Sequence, residues 1–356
     1  MKEKLKTLRQ QIDVIDQRLV RLLNERTKLV LEIGKIKRAV GEEIYAPHRE
    51  NAVLRRIVRN NKGPLTNESL RAIYREIMSS ALALEKPLTI AYLGPEATYS
   101  HMASVKKFGS SLRYVPQANI ADVFNEVAKG RADYGVVPIE NTTEGAVTHT
   151  YDMFIHSDLK ICAQTLLRIQ HNLMSAGERP QIRTVYSIPQ VLAQCRQWLQ
   201  LNMPRVELLE VSSSARAAQI AKEDPSAGAI ASELAAELYG LKIHERHIQD
   251  SSENVTRFLV IGRQSPPPTG NDKTSIMFSV RDRVGALHDC IACFKKYKIN
   301  MTKIESRPNR QKAWEYYFFV DFLGHAEDAR VKKALAELSQ HTVFVKILGS
   351  YPNDNS

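Results

Sequence analysis

The fold of the central part of this 356-residue chain is indicated most clearly by one stretch, Val136-Val137-Pro138-Ile139-Glu140-Asn141-Thr142-Thr143-Glu144-Gly145-Ala146-Val147. The apolar run at 134–137 is typical of a buried strand, which we expect to end at Pro138. Residues 141–143 are good helix caps and predict a helix that runs through 147–154. A carboxylate, an amide and hydroxyls would then lie at a helix N-terminus, where backbone N–H groups favour an anion. The pattern therefore predicts either an anion site or an ordinary strand–loop–helix junction.

Composition predicts a soluble globular protein of two or three domains, with 43% hydrophobic and 25% charged residues. The four cysteines give no disulfide framework, and the lone C-x-x-C at Cys290 and Cys293 argues against a zinc site. The N-terminus is a charged amphipathic segment, and no apolar run is long enough to span a membrane. We therefore expect a cytoplasmic protein that does not associate with membranes.

The basic charge is partly local. The formal net charge is +11, and residues 1–87 hold 19 Lys and Arg against 11 Asp and Glu. This segment lacks interleaved aromatic residues and any helix-turn-helix or zinc pattern, so nucleic acid is not the expected partner. A small anionic substrate explains the charge equally well.

The first segment begins with a long amphipathic helix. Its apolar residues recur at alternating spacings of three and four, which is a heptad seam: Leu5, Leu8, Ile12, Ile15, Leu19, Leu22, Leu29, Ile33 and Ile36. One seam position is occupied by Arg26. Arg26 either fixes the register of a coiled coil or belongs to an anion pocket that needs a bidentate cation.

Helix geometry bears on this choice. Arg26 and Lys37 are separated by about 20° in rotation and about 16 Å along the axis, so two long side chains can converge on one small ligand. Arg9 lies about 25 Å from Arg26 and is turned by about 100°, so it cannot join the same site within one straight helix. An antiparallel partner chain would supply it. The pattern therefore predicts an intertwined dimer.

Two further helices complete the first segment. A break at 41–43 ends the long helix, and a second helix begins near Pro47, which is tolerated in a first turn. This second helix carries a basic and an acidic residue at 49–50. A third helix is capped by Thr66, and its apolar stripe continues through 81–85. The stripe therefore ends at an acidic residue, Glu85.

Residues 88–264 alternate strand-like runs with helical patterns. The runs are 89–93, 113–115, 134–138, 159–167, 182–186, 206–210, 227–231 and 255–261. Such alternation predicts an α/β domain with a largely parallel sheet.

Residues 265–272 have the composition of a stiff polar linker. The segment beyond it predicts strand, helix, strand, strand, helix and strand, which is the order of a ferredoxin-like α+β unit. The predicted elements are 275–280, 286–297, 300–306, 316–323, 326–338 and 343–348. Cys290 and Cys293 fall on the first helix as small core residues.

Four ordered motifs resemble the signatures of prephenate dehydratases. They are the stretch at 136–147, Gly94-Pro95-Glu96-Ala97-Thr98-Tyr99-Ser100, Tyr186-Ser187-Ile188-Pro189-Gln190 and Asn254-Val255-Thr256-Arg257-Phe258. With the flanking segments, nearly the whole chain resembles the bifunctional chorismate mutase–prephenate dehydratases. The resemblance implies a multidomain protein, with an all-α chorismate mutase domain at 1–87 and a two-lobed α/β dehydratase domain at 88–264. The dehydratase fold is similar to periplasmic binding proteins, and an ACT domain follows the linker at 273–356.

The resemblance to all-helical chorismate mutases implies a site with a catalytic pair and five binding residues. The pair is Lys37 and Glu85 at the ether oxygen, and the binding residues are Arg9, Arg26, Arg49, Glu50 and Ala81. The implied reaction is the pericyclic rearrangement of chorismate to prephenate, which needs no nucleophile and no metal. A protein contributes a compact reactive conformer and charge stabilisation at the breaking C–O bond.

The dehydratase motifs imply a second site. Prephenate becomes phenylpyruvate by losing its ring hydroxyl and, as CO2, its ring carboxylate, so a donor is needed at the departing hydroxyl. The resemblance assigns catalysis to Thr256 and makes Arg257 a candidate for the side-chain carboxylate. It also places three polar residues in the pocket: Asn141, Ser187 and Gln194. Glu140 either acts as an acid or orients Asn141.

Two segments of the C-terminal domain resemble the phenylalanine-binding motifs of ACT domains in this family. They are Gly285, Ala286 and Leu287 at a helix start, and Glu305, Ser306, Arg307 and Pro308 at a strand end. Glycine allows a small amino acid to approach the helix N-terminus closely. The resemblance implies feedback inhibition by phenylalanine.

The resemblance as a whole implies a cytoplasmic enzyme of phenylalanine biosynthesis that forms a homodimer or a higher homo-oligomer. Its substrates would be chorismate and prephenate, and no metal or organic cofactor is expected. One alternative is a catalytically silent binding module that carries a sensor domain. A second alternative is an enzyme that prefers arogenate and makes phenylalanine directly.

Overall fold

The computed structural model describes residues 1–41, 45–309 and 315–353. The chain forms two compact units, one of Met1–Leu88 with Phe108–Arg113 and one of Thr89–Lys107 with Tyr114–Ser356. Glu42 and Glu43, which belong to the predicted helix break, lie outside the described residues. None of the described helices combines the length and the apolar character needed to cross a lipid bilayer.

Three helices build the first unit: α1 Lys2–Ala39, α2 Pro47–Asn60 and α3 Asn67–Glu85. The predicted Thr66 cap is confirmed, because its hydroxyl accepts a hydrogen bond from the Ser69 N–H. Pro47 occupies the first turn of α2, where the missing N–H is not needed. The apolar seam of α1 stays uncovered in the single chain, since its nine residues are 48–65% exposed.

The remaining helices are α4 Tyr99–Phe108, α5 Ile120–Ala128, α6 Thr148–His156, α7 Pro189–Gln194, α8 Arg196–Asn202, α9 Ser214–Glu223, α10 Glu233–Tyr239, α11 Ala286–Lys296 and α12 Ala329–His341. The strands are β1 Thr89–Leu93, β2 Arg113–Gln117, β3 Tyr134–Asn141, β4 Gly145–Ala146, β5 Lys160–Arg168, β6 Asn172–Ser175, β7 Thr184–Ser187, β8 Glu207–Glu210, β9 Ala227–Ala231, β10 Lys242–Glu245, β11 Val255–Gly262, β12 Asp272–Ser279, β13 Met301–Pro308, β14 Tyr316–Leu323 and β15 Phe344–Pro352.

These strands form three sheets. The first has the order β2-β1-β3-β11-β5 with β4 beside β3, the second β10-β6-β9-β7-β8, and the third β13-β14-β12-β15. The prediction of a largely parallel sheet is wrong. In the first sheet β11 is antiparallel to both of its neighbours, and in the second β6 is antiparallel to both of its own. Each of these strands directly follows a strand of the other sheet, β5 before β6 and β10 before β11. Neither is therefore joined to a preceding sheet neighbour by the crossover helix that makes neighbouring strands parallel.

The stretch at 136–147 folds differently from the prediction. Strand β3 continues through Pro138 to Asn141, a hairpin leads to β4, and α6 begins only at Thr148 without a side-chain cap. Pro138 is tolerated because the pairing of β3 with β11 is irregular between Arg257 and Phe258, where a ladder N–H can be missing. The Asn141 side chain accepts from two following N–H groups and thereby stabilises a turn, not a helix N-terminus.

The C-terminal segment has the predicted order of strands and helices, β12-α11-β13-β14-α12-β15. Its sheet packs against the first sheet in one continuous core that contains Met277, Phe319 and Leu348 from one side and Ile161 and Leu259 from the other. The C-terminal domain therefore packs through apolar contacts on the two-sheet α/β part of the same unit, which we call the body.

Candidate active sites

Three of the predicted dehydratase residues lie in one hydrogen-bond network between β3, β11 and α7. Asn141 Nδ2 donates to Thr256 Oγ1 at 2.8 Å and to Asn254 Oδ1 at 2.7 Å. Asn254 Nδ2 donates to Gln194 Oε1 at 2.9 Å, and Gln194 Nε2 donates to the Glu144 carboxylate at 2.8 Å. The network therefore links a hydroxyl, three amides and one carboxylate.

The direction of the hydrogen bonds in this network is fixed at Asn141. Its Oδ1 accepts from the backbone N–H groups of Thr143 and Glu144 at 2.8 and 2.9 Å, so its Nδ2 must be the donor toward Thr256. The Thr256 hydroxyl accepts this bond, and among the described residues no acceptor takes its own proton. Thr256 is thus oriented to donate a hydrogen bond to a ligand.

The far end of the network was not predicted. His171 contacts Gln194 Oε1 through Nε2 at 2.7 Å and the Tyr99 hydroxyl through Nδ1 at 2.8 Å. Burial lowers the pKa of His171 and raises that of Tyr99, so both are neutral near pH 7. Because Gln194 Oε1 is an acceptor, neutral His171 carries its proton on Nε2. The Tyr99 hydroxyl lies between two acceptors, His171 Nδ1 and the backbone oxygen of Gln170 at 2.7 Å, which share its single proton. Tyr99 and Asn254 belong to motifs quoted above, whereas His171 belongs to none.

Ser187 does not join this network. Its side chain is fully buried, and its hydroxyl donates to the backbone oxygen of Ile230 at 2.7 Å.

Arg257 and Glu140 lie on the opposite face of the strand pair. Arg257 is opposite Glu140 and Thr256 is opposite Asn141, and successive side chains of a strand point to opposite faces. Arg257 donates to Glu140 at 3.2 Å, to Asp321 at 2.6 Å and to two further groups, and its side chain is only 7% exposed. The structure therefore does not bring Arg257 into the network of Thr256, and its role at the substrate carboxylate stays a prediction. Of the two roles left open for Glu140, the geometry favours orientation of its neighbour Asn141 over acid catalysis.

In the helical unit, Glu85 lies against the face of α1 that carries Lys37. A Cβ atom at Gly34 would lie 2.2 Å from Glu85 Oε1, so only glycine allows this approach. Arg38 donates to the Glu85 backbone oxygen at 2.8 Å, which holds the end of α3 against α1. Burial raises the pKa of the Glu85 carboxyl, although Lys37 and Arg38 oppose the shift.

The other predicted mutase residues differ in their surroundings. Arg26 and Glu85 each have a buried side-chain atom, Nη1 and Oε1, that has no hydrogen-bond partner in the described part of the chain. Glu50 accepts from the Tyr45 hydroxyl at 3.2 Å, and Ala81 is buried. Arg9 and Arg49 are exposed.

The sequence reasoning missed two residues of α2. Asn51 Oδ1 and His48 Nδ1 are also buried without a partner among the described residues. Burial and the positive charges of Lys37 and Arg49 lower the pKa of His48. Neither residue stands out in the sequence, because only tertiary packing makes them buried.

The predicted effector residues lie on α11 and β13. Gly285 has φ +77° at the N-cap of α11, a conformation that favours glycine, and Ala286 is buried behind it. On β13, Ser306 and Pro308 are exposed, whereas Arg307 turns inward and donates to Asp152 of α6 at 3.3 Å. Leu287 packs on the core of this domain.

Comparisons with known proteins agree with this architecture. The chain matches the family models chorismate mutase type II at residues 8–86, prephenate dehydratase at 90–266 and ACT domain at 274–340. It is 52% identical to the bifunctional chorismate mutase/prephenate dehydratase of Aquifex aeolicus and 47% identical to that of Pseudomonas aeruginosa, in both cases over 98% of each chain. The solved prephenate dehydratase of Arthrobacter aurescens in complex with L-Phe is 33% identical, with a TM-score of 0.70, and the match covers 75% of this chain and 90% of that one.

The helical unit has buried Arg26 and Glu85 atoms without partners in its described part, and it is joined to a two-sheet body that carries an ACT domain. Together these features define a multidomain enzyme of the mutase and dehydratase type. The extent of the matches is decisive, since relatives at about half identity align along almost the whole length. The chain belongs to the family of bifunctional chorismate mutase/prephenate dehydratases. The resemblance inferred from the motifs is confirmed.

We predict that Thr256→Val lowers the dehydratase kcat by about 10²–10³, because the substitution keeps the shape of the side chain and removes one donor. The unfolding free energy should fall by about 1–3 kcal/mol, since one Asn141 donor loses its acceptor. Kinetics with prephenate and denaturant titration provide the two measurements. Thr165→Val is the control, because Thr165 is a buried threonine of neighbouring β5 opposite Phe258. A kcat within threefold of the parent in Thr256→Val would remove this hydroxyl from the mechanism.

We predict that mutase activity is highest at acidic pH and falls as pH rises through the raised pKa of Glu85, because only the neutral carboxyl can donate to an ether oxygen. Glu85→Gln keeps a donor at every pH and should flatten the profile, whereas Glu85→Ala should lose activity throughout. The measurement is the pH dependence of mutase kcat/KM for the parent and both variants. Identical high-pH limbs in the parent and Glu85→Gln would show that Glu85 does not titrate in the reaction.

Proposed function

We propose that this enzyme rearranges chorismate to prephenate in its helical unit and converts prephenate to phenylpyruvate in its α/β body, with phenylalanine as the feedback inhibitor. The proposed location is the cytoplasm, which is consistent with four free and buried cysteines. The family and the two sets of polar groups described above support the two reactions.

The mutase half is supported chiefly by buried polar atoms of Arg26 and Glu85 that have no hydrogen-bond partner among the described residues. Buried polar atoms are normally hydrogen-bonded, so a guanidinium nitrogen and a carboxyl oxygen without partners among the described residues fit an anionic, ether-containing ligand. Arg26 and Arg49 would hold the carboxylates of chorismate. Lys37 and neutral Glu85 would donate to the ether oxygen as the C–O bond breaks.

The dehydratase half is supported by the orientation of the Thr256 hydroxyl. Asn141 forces Thr256 to accept, so the threonine proton is directed to the ring hydroxyl that leaves. The electron pair released by loss of CO2 enters the ring as the C–O bond to the hydroxyl breaks. The departing hydroxide takes up a proton that originates in solvent, and aromatisation drives the reaction.

One assay tests the two activities and separates the rivals. Purified protein should consume chorismate, and with prephenate it should form phenylpyruvate, which is detected by its absorbance in alkali. A catalytically silent binding module would give neither signal. Direct competition between prephenate and arogenate decides between the two dehydratase substrates, and formation of phenylalanine from arogenate at the higher kcat/KM would favour the alternative enzyme.

A homodimer is proposed from the uncovered seam of α1. Nine apolar residues at 48–65% exposure form a continuous stripe on this helix, which is the kind of surface that a partner helix covers. An antiparallel partner would also bring its own Arg9 to the pocket of Arg26 and Lys37. The mutase site would then be shared between two chains.

Shared sites predict complementation. Arg9→Ala and Arg26→Ala should each abolish most mutase activity, whereas the heterodimer of the two variants has one site with both arginines intact. Unfolding and refolding an equal mixture should therefore restore about a quarter of the parent activity, because half of the random dimers are heterodimers with one working site each. Mixing either variant with itself is the control. Absence of recovery in dimers verified by ultracentrifugation would place both arginines in the same chain's site.

The phenylalanine site yields a matched pair of variants. Gly285 and Gly270 both have positive φ, +77° and +83°, and both have open space at the position of a Cβ. Alanine at either site costs similar backbone strain, about 1 kcal/mol. Only Gly285→Ala should weaken inhibition, by about tenfold or more in the phenylalanine concentration for half-inhibition, because its Cβ blocks close approach to the start of α11. Equal inhibition curves for Gly285→Ala and Gly270→Ala would place the effector elsewhere.

A further inference from the structure

Strands β3 and β11 carry two functions on their two faces. The pair Thr256 and Asn141 faces the dehydratase network, and the next pair, Arg257 and Glu140, faces the C-terminal domain. Thr256 and Asn141 are therefore each covalently adjacent to a residue that is bonded to the C-terminal domain. The irregular pairing between Arg257 and Phe258 lies at the same point, and bulges of this kind re-aim neighbouring side chains.

Arg257 is inserted into the sheet of the C-terminal domain. It donates to Asp321 of β14 at 2.6 Å and to the Tyr351 hydroxyl of β15 at 2.8 Å, and its Nε donates to Gln164 of β5 at 2.9 Å. Ser275 of β12 donates to Asp321 at 2.5 Å. Three strands of the C-terminal sheet therefore contribute to one buried arginine site.

Glu140 connects the same site to β13, the strand that carries the predicted effector segment 305–308. One carboxylate oxygen accepts from Arg257, and the other is bonded to the ammonium of Lys303 on β13. Side chains alternate along β13, so Lys303, Glu305 and Arg307 all turn inward while the residues between them are exposed. Arg307 is bonded to Asp152 of α6 at 3.3 Å. The inner face of the effector segment thus contacts the body directly.

The cluster is balanced in charge and well shielded. Two cations, Arg257 and Lys303, face two carboxylates, Glu140 and Asp321, and the side chains are 7%, 17%, 32% and 12% exposed in that order. Removing one member leaves an uncompensated charge in a shielded site, so the remaining groups must rearrange. Small displacements of catalytic groups have large effects on rate, so such a rearrangement would reach Thr256 and Asn141.

We propose that this cluster of Glu140, Arg257, Lys303 and Asp321 is the element through which the C-terminal domain positions the dehydratase pair Thr256 and Asn141, and that an effector bound at 305–308 acts through Lys303. The four members are positioning residues, since none of them lies in the network. The inference rests on the dehydratase and phenylalanine assignments of the proposed function.

The test uses the full-length enzyme with Lys303→Met, Lys303→Arg and Glu140→Gln. Lys346→Met is the matched control, because Lys346 is a similarly shielded lysine of the same sheet that also crosses to the body. It donates to the Phe154 and Ser157 backbone oxygens at the end of α6, and in the described part of the chain its nearby carboxylate is Asp158, not Glu140 or Asp321. The readouts are dehydratase kcat and KM, mutase kcat, phenylalanine binding by calorimetry, and the maximal inhibition.

Without effector, Lys303→Met should lower the dehydratase kcat by about tenfold with KM changed less than twofold. Lys303→Arg should recover most of the loss, Lys346→Met should match the parent, and mutase kcat should not change. Lys303→Met with Glu140→Gln should be no worse than either single change, because both remove the same link. Lys303→Met should still bind phenylalanine. At saturating phenylalanine it should retain a larger fraction of its effector-free dehydratase kcat than the parent retains of its own.

A kcat in Lys303→Met within twofold of the parent, or an equal loss in Lys346→Met, would overturn the proposal. Identical fractional inhibition in the parent and Lys303→Met would overturn it as well. Should Lys303→Met fail to fold, Glu140→Gln carries the same kcat comparison, because it keeps the side-chain shape. If the parent does not bind phenylalanine, the effector assignment fails, and the effector-free kcat comparison still decides the positioning role.

Discussion

The antiparallel pairing of β3 with β11 is the constraint on which most of the larger unit depends. Its register places Thr256 opposite Asn141 and Arg257 opposite Glu140. Because alternate side chains of a strand point to opposite faces, one pair of strands builds the dehydratase network and anchors the C-terminal domain at once. A register slip of one residue would exchange the two faces and destroy both.

The two faces use different chemistry for physical reasons. The network face consists of amides, hydroxyls and the Glu144 carboxylate, with neutral Tyr99 and His171 at its end. Asn141 Oδ1 accepts from two backbone N–H groups, so its Nδ2 donates to Thr256 and leaves the Thr256 hydroxyl as a donor. The opposite face holds full charges, which are stable there because Arg257 has a partner at each of its nitrogens. Apolar residues of the two sheets surround this charged cluster and complete the core.

The helical unit differs, because several of its buried polar atoms have no hydrogen-bond partner in the part of the chain that the structure describes. Buried atoms of Arg26, Asn51 and Glu85 have no acceptor or donor among the described residues, and the apolar seam of α1 is exposed. Both features are costly in an isolated chain. A bound dianion and a second copy of α1 would satisfy them together, so substrate binding and dimerisation are expected to stabilise the same unit.

The sequence alone determined the order of the domains, the three N-terminal helices, the βαββαβ order of the C-terminal domain and the family. These features depend on local signals: a heptad period, caps such as Thr66, and motifs that keep their order along the chain. It also predicted that Thr256, Asn141 and Gln194 belong to one site, and the structure brings these three into one hydrogen-bond network.

Only the tertiary structure decided strand direction, the turn after Asn141 and the partners of Arg257. A one-residue alternation predicts that Thr256 and Arg257 face opposite ways, but it does not say which face meets the network and which meets Asp321 and Tyr351. Likewise, no local signal distinguishes His171 from any other histidine, since its partners Tyr99 and Gln194 are distant in the sequence. Charge partners and burial are set by contacts between remote segments, and those contacts exist only once the sheets have packed.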